Sequence, residues 1–362
     1  MTANNILLLQ TAIGDYRQAF LEEVFSRLGD RFSIMCGDRY FESSLITGIK
    51  KPIVYSSVNN CFVLNRRFLF QWRAVFPAVM ADVVVLELNP RIITNWIVVF
   101  LRKIFGKKTI FWGHAWPRKG ISSHSDVIRS LMRALSDVLI VYTETQKSQL
   151  QKYGFDSGRL IAAPNALYRK QQMQSVVSNR DSFIYVGRLV ESKKILLAIK
   201  SFSLIKNRNI DAKLLIVGDG PLRSECENLV SRLGLNECVL FFGHISDELE
   251  LAKLYSRSVS SLSPGYIGLS ITQSLGFGVP VVISRDEPHA PEIEAAVEGE
   301  NCIFFDTDSE QSLADSMILI WNERNKWADS AAKISDSCKN NYSAEIMADR
   351  FVDALNRCGL AV

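Results

Sequence analysis

The chain has 362 residues, 48% hydrophobic and 22% charged, with seven cysteines, four histidines and a net charge of +4. Such a composition excludes a disordered chain, and the length suits two domains, each with its own core. The charge is uneven: residues 1–175 carry 23 Lys and Arg against 12 Asp and Glu (net +11), and the remainder carries 19 against 26 (net −7).

The first residues, MTANNILLLQTAIGDYRQAF, lack the basic start and small-residue cleavage site of a secretory leader. The longest apolar patch, residues 96–105, is too short for a membrane span and carries Arg102 and Lys103. The cysteines form no CxxC and the histidines no paired spacing, so no metal site is expected and the thiols suit a reduced, cytoplasmic chain. Solvated surface alone accounts for a basic bias, yet the clusters Arg66-Arg67, Arg102-Lys103, Lys107-Lys108 and Arg118-Lys119 also suit an anionic membrane surface or acceptor. They are not interleaved with a nucleic-acid-binding motif, so no nucleic acid is expected as a partner.

Apolar strand-like runs alternate with helical patterns along the chain, the signature of a parallel α/β architecture. Strands are predicted at 6–10, 32–36, 53–57, 83–87, 109–112, 138–142 and 160–162, with helices at 17–28 and 126–135. A polar stretch without periodicity, 164–180, reads as a linker. Beyond it, strands are predicted at 182–186, 214–217, 239–242, 259–262, 281–283 and 302–305. Helices fill the gaps at 196–206, 222–233, 247–255, 270–276 and 313–321. Residues 343–355 place Met347, Phe351, Ala354 and Leu355 on one helical face that must dock somewhere. The expectation is two doubly wound domains with a cleft between them.

In such sheets ligands sit where strand ends meet helix starts, and free N–H groups there attract phosphate. Gly187-Arg188 with Lys193 follows one strand, and Gly268-Leu269-Ser270 follows another. An arginine fork, a lysine point charge and helix amides suit a diphosphate, and hence a nucleotide-linked donor. Gly218-Asp219-Gly220-Pro221 is not the dinucleotide fingerprint, because Arg223 stands where a third glycine would, so a dehydrogenase is not expected. His114, in FWGHAW, follows a strand and a glycine. Tyr16-Arg17 and Asn89-Pro90-Arg91 occupy similar loops, and Glu292 and Glu294 are either ligand carboxylates or a polar helix start.

These segments resemble glycosyltransferase family 4. GRLVESKKILLAIKSF is similar to the family's strand–GRL–xxx–KG–helix element with Lys194 in the glycine's place. IVGDGPLR resembles its GxGP element, FFGHIS its strand before the nucleobase loop, and SPGYIGLSITQSLGFGVPVV its phosphate-binding segment. Looser similarity of YRQAF, ELNPRIITNW and FWGHAWPRKG is to bacterial polysaccharide and O-antigen transferases. The resemblance implies an α/β protein of GT-B type: two Rossmann-like domains, an interdomain cleft and a final helix crossing back. Residues 1–170 would form the acceptor side, 181–340 the nucleotide-sugar side and 341–362 the crossing helix.

By the same resemblance, a nucleotide sugar, with uridine as its base, is the donor substrate, with no cofactor. A lipid-linked glycan is the acceptor, and the reaction is a retaining transfer at the inner face of the cytoplasmic membrane. Arg188, Lys193, Gly268, Leu269 and Ser270 would hold the diphosphate. Gln273, Gly218, His244 and Ile245 would border the nucleoside, and His114 would face the transferred sugar. Tyr16, Arg17, Asn89 and Arg91 would lie on the acceptor side. The family's two glutamates fall on Gly265 and Gln273, so Glu292 or Glu294 would take over as the catalytic acid, or catalysis would lean on the leaving diphosphate. The alternatives are a non-catalytic sugar-binding member of an assembly and a nucleotide-sugar epimerase on the same fold.

Overall fold

The computed structural model describes residues 5–41, 45–117, 120, 123, 125–175, 178, 180–208 and 210–360. They form two compact units, one of residues 1–167 with 344–362 and the other of residues 168–343.

The first unit contains β1 (Ile6–Gln10), β2 (Phe32–Cys36), β3 (Ser56–Ser57), β4 (Cys61–Val63), β5 (Phe68–Phe70), β6 (Val83–Glu87), β7 (Lys108–Trp112), β8 (Val138–Val141) and β9 (Leu160–Ala162). Seven of them make one parallel sheet in the order β3-β2-β1-β6-β7-β8-β9, and β4 and β5 form a separate antiparallel hairpin. Every residue of β1 and β6 is buried, because helices cover both faces of the sheet. On one face Ile6 and Leu8 pack with helices Gln18–Leu28 and Ala344–Arg357, where Phe20 meets Phe351 edge-on at 5.6 Å. The last helix therefore belongs to the first unit, with Met347, Phe351, Ala354 and Leu355 all buried. On the other face Leu7 and Leu9 pack under helices Val75–Met80, Ile93–Ile104, Ser125–Leu135 and Glu144–Lys152.

The second unit contains β10 (Ser182–Val186), β11 (Lys213–Val217), β12 (Val239–Gly243), β13 (Ser258–Ser263), β14 (Val281–Ser284) and β15 (Cys302–Phe305). They form a parallel sheet in the order β12-β11-β10-β13-β14-β15, so strand order reverses between β10 and β13. In the first unit the same reversal falls between β1 and β6. The sequence-based expectation of two doubly wound parallel sheets is met, and the topology marks one crevice in each.

Some elements differ from expectation. Only Ser56–Ser57 of the run 53–57 pairs as a strand, and the hairpin of β4 and β5 was not anticipated. Helices Ile93–Ile104 and Glu144–Lys152 were not anticipated either, and the second buries only Leu150. The stretch 164–180 is more than a linker. Tyr168, Met173 and Arg180 are buried in the second unit, and Arg180 donates to the Gly278 carbonyl at 3.1 Å.

Candidate functional site

In the second unit, the loops after three neighbouring strands lock onto one another. Gly187 N–H donates to Val217 O at 3.0 Å, and Leu189 N–H donates to Asp219 O at 2.9 Å. The loop 218–220 follows this path because a Cβ on Gly218, at φ 135°, would lie 1.9 Å from the Gly187 oxygen. Gly218 thus serves a close backbone approach. His244 and Ile245 follow edge strand β12, with His244 exposed and Ile245 half-buried, and the adjoining Gly243 oxygen accepts from Gly218 N–H at 2.7 Å.

The loop after β13 approaches the 3-10 turn Glu191–Lys193 just as closely. Tyr266 N–H donates to Ser192 O at 2.9 Å, and Lys193 Nζ donates to Tyr266 O at 2.7 Å. A Cβ on Gly265 would meet that Ser192 oxygen at 2.5 Å and the Lys193 carbonyl carbon at 2.9 Å. The glycine is therefore required by packing, and no carboxylate fits there without moving the backbone that carries Lys193. Lys194 then sits in the left-handed region at φ 51°, a conformation natural to glycine. Its ammonium forms ion pairs at 2.5 Å with Glu287 and Asp308.

His289 holds the other side of the loop. Its Nδ1 accepts from Ile267 N–H at 3.1 Å, which leaves Nε2 protonated to donate to Ser284 O at 2.8 Å. Burial, helped by the charge of Lys193, keeps its pKa below the ordinary value, so the ring is neutral. The loop then turns into helix Ser270–Gly276, and the N–H groups of Gly268, Leu269 and Ser270 have no acceptor among the described residues.

Lys193 is the electrostatic centre of this group. Burial, and then the neighbouring Arg188 charge, push its pKa down to about 8, while Glu292 opposes the shift. Arg188 is exposed and Glu292 buried, while Glu294 is half-buried and coupled to Tyr342. Two cations and a buried carboxylate thus gather at the switch point between β10 and β13, and the three open amides follow on the loop whose Tyr266 carbonyl Lys193 holds. The arrangement suits an anion that spreads its charge over several oxygens. Sequence reasoning missed His289; a histidine just beyond a strand end, in SRDEPHAPE, was its only local signal.

Gln273 is 7% exposed, donates from Nε2 to the Tyr168 hydroxyl at 2.7 Å and accepts from the Tyr255 hydroxyl at 3.3 Å. Each end of its amide thus has one partner and keeps one further hydrogen-bonding position.

In the first unit, His114 is exposed beyond β7 with its ring 4.8 Å from that of Tyr142. The same Tyr142 hydroxyl accepts from Arg17 at 3.2 Å. Arg17 is buried, lies 4.3 Å over the Trp112 ring and also donates to Asn165 at 3.3 Å. Half-buried Tyr16 lies beside it. Asn89 donates to the Tyr40 hydroxyl at 3.0 Å, and Arg91 holds the carbonyls of Arg67 and Arg66 at 2.7 and 2.6 Å. Arg17 and Arg91 are thus engaged in shaping their own unit. Among these residues lies Glu87, unassigned by sequence reasoning. It is buried at the end of β6 and accepts from Thr11 N–H; burial raises its pKa, although this hydrogen bond and Arg17 oppose the rise.

Among the described residues no group of three or more His, Cys, Asp or Glu could hold a metal ion. No helix among them is long and apolar enough to cross a membrane.

Two Rossmann-like sheets of this kind define a GT-B fold. It matches the UDP complex of Anabaena HepE with a TM-score of 0.72 at 15% identity, over 97% of this chain and 99% of that one. Residues 169–338, which lie in the second unit, match the family model for glycosyl transferases group 1. The chain is 24% identical over 186 residues to a GDP-mannose-dependent alpha-(1-6)-phosphatidylinositol dimannoside mannosyltransferase of Mycobacterium tuberculosis, covering 48% of each. It is also 21% identical over 247 residues to an N-acetyl-alpha-D-glucosaminyl L-malate synthase of Bacillus anthracis, covering 60% of this chain and 64% of that one. The chain spans about half the length of the mannosyltransferase.

Proposed function

We propose that the protein is a family 4 glycosyltransferase that moves a hexose from a uridine diphosphate sugar to a lipid-linked glycan. The transfer retains the anomeric configuration and serves synthesis of a bacterial surface polysaccharide such as O-antigen. It needs no metal and takes place on the inner face of the cytoplasmic membrane. The observation that carries the reading is Lys193, beside Arg188, held to the loop after β13 that carries the open amides of Gly268, Leu269 and Ser270. Sugar transfer breaks the bond between the anomeric carbon and the diphosphate, so negative charge grows on the departing oxygens. Fixed cations and preoriented amides stabilise that charge better than water does.

With glycine enforced at 265, the departing diphosphate itself takes the incoming hydroxyl's proton, and Glu292 orients Lys193. In this reading His114 faces the sugar, Gln273, Gly218, His244 and Ile245 border the nucleoside, and Tyr16, Arg17, Asn89 and Arg91 shape the acceptor side. The HepE complex with UDP supports a uridine donor by analogy.

The absence of a carboxylate at Gly265 also favours a second reading, a non-catalytic member that binds nucleotide sugar within an assembly. Radiolabelled transfer from UDP-hexoses to lipid-linked acceptors separates the two. Arg188→Ala is expected to lower kcat/KM by about 100-fold, the scale for losing one preorganised donor to a developing oxyanion. Transfer at the wild-type rate by Arg188→Ala would overturn the diphosphate site, and UDP-sugar binding without turnover on any acceptor would support the second reading.

A further inference from the structure

We propose that the outer face of the helical layer in the first unit is a docking surface for an anionic lipid bilayer. Helix Ser125–Leu135 is folded inside out. Arg129 donates inward to the carbonyls of Leu88 and His114 at 2.7 and 2.9 Å, and Arg133 donates to that of Ala115 at 2.6 Å. Val127, Ile128 and Leu131 meanwhile face solvent, each more than half exposed. A helix on the surface of a soluble domain ordinarily shows the opposite arrangement.

The neighbouring helices of the layer continue the pattern. Helix Val75–Met80 exposes Phe76 (73%) and Met80, while helix Ile93–Ile104 exposes Phe100 and Ile104 (77%) and is followed by exposed Phe105. The ends of these two helices are fastened together by Arg102, which is fully buried and donates to the carbonyls of Ala78, Val79 and Ala81 at 2.8, 3.1 and 2.6 Å. Lys107 Nζ also reaches the Met80 carbonyl. Met80, Ile104 and Phe105 therefore share one rim, and the buried Ala78, Val98 and Met132 bind all three helices into a single core under this face. Exposed apolar side chains on three helices of one layer mark this face as an interaction surface.

Charge selects the occupant. Residues 56–108 carry eight basic side chains and two acidic ones, and of those two Glu87 is buried. Arg67 and Arg73 are exposed in the segments that flank these apolar side chains, and half-buried Lys107 lies at their rim, the pattern of cations at headgroup depth with aromatic and aliphatic groups at the acyl boundary. No helix among the described residues is long and apolar enough to cross a membrane, so the proposed contact is with the bilayer surface. Lys103 and Lys108 pair with Asp137 and Arg102 is internal, so the apolar side chains, more than those basic clusters, make the surface. The proposal rests on the reading that the acceptor is lipid-borne.

The test is co-sedimentation of the full chain with vesicles of phosphatidylcholine, with and without phosphatidylglycerol. A triple variant, Phe76→Ser with Phe100→Ser and Ile104→Ser, and a double variant, Val127→Ser with Leu131→Ser, are run beside it, and a cooperative thermal transition shows that each is folded. The wild type is expected to pellet with phosphatidylglycerol vesicles, and the triple variant to lose at least about 10-fold in partitioning. A wild type that stays in the supernatant, or folded variants that pellet equally well, would overturn the proposal. Self-association abolished by the same substitutions, without vesicle binding, would also overturn it and assign the face to a second copy of the chain. No sugar transfer is read here, so failure of the donor reading shows separately, as an absence of UDP binding.

Discussion

The low pKa of Lys193 makes donor binding depend on pH in a direction that can be worked out beforehand. Burial and Arg188 hold the free ammonium at about 8, against an ordinary 10.5. A bound diphosphate places negative charge beside it and raises the pKa again, so binding requires a proton that the free protein surrenders above about pH 8. Between pH 7 and pH 9 the dissociation constant for UDP should rise about 10-fold, and at pH 8.5 each binding event should take up about 0.8 proton. Calorimetry in two buffers of different ionisation enthalpy measures both quantities.

Lys193→Arg, which stays charged throughout, should flatten the profile. Glu292→Gln removes the group that supports the ammonium and should move the break to lower pH. For folding the sign is reversed. The unfolded chain binds more protons between pH 8 and 10.5, so the contribution of Lys193 to stability improves as pH rises through that window. The buried thiols of Cys302, Cys338 and Cys358, pushed up to about 12 by burial, act the other way above pH 9, so ligand affinity is the cleaner readout. A dissociation constant that stays flat from pH 7 to 9 in the wild type, or an identical break in Lys193→Arg, would refute the reasoning.

Gly265→Glu, although it inserts the acid seen in the resembling family, should abolish UDP-induced thermal stabilisation, since its Cβ displaces the backbone of Ser192 and Lys193; stabilisation equal to wild type would contradict that packing. Arg102→Ala strands the carbonyls of Ala78, Val79 and Ala81 in the core, and a loss of about 3–5 kcal/mol in denaturant unfolding, or insoluble protein, is expected.

The architecture was legible because it is written locally. Runs such as VVVLE and SFIYV are continuous apolar strands of the kind that only a sheet covered on both faces accepts. Residues 343–355 carried a clear stripe, and Met347 and Phe351 are buried. The loops that follow β10 and β13 were legible as well, since glycine punctuates each strand end.

Long-range approach was not legible. The need for glycine at 265 comes from a backbone oxygen of Ser192, more than seventy residues away. Gln273 is enclosed by Tyr168 and Tyr255, one of them from a stretch that reads as a linker. Arg102 has the sequence appearance of surface charge, yet it is the buried clasp between two helices. Periodicity likewise reveals that helix Ser125–Leu135 has two unlike faces, but not that the arginines are the ones turned inward. The amino-acid sequence alone therefore determined the two parallel sheets and where their glycine-punctuated strand ends fall, because burial and turn preference act on neighbouring residues. Tertiary structure decided which polar groups remain open to a ligand and which apolar groups remain open to solvent, because both depend on what distant chain segments have already covered.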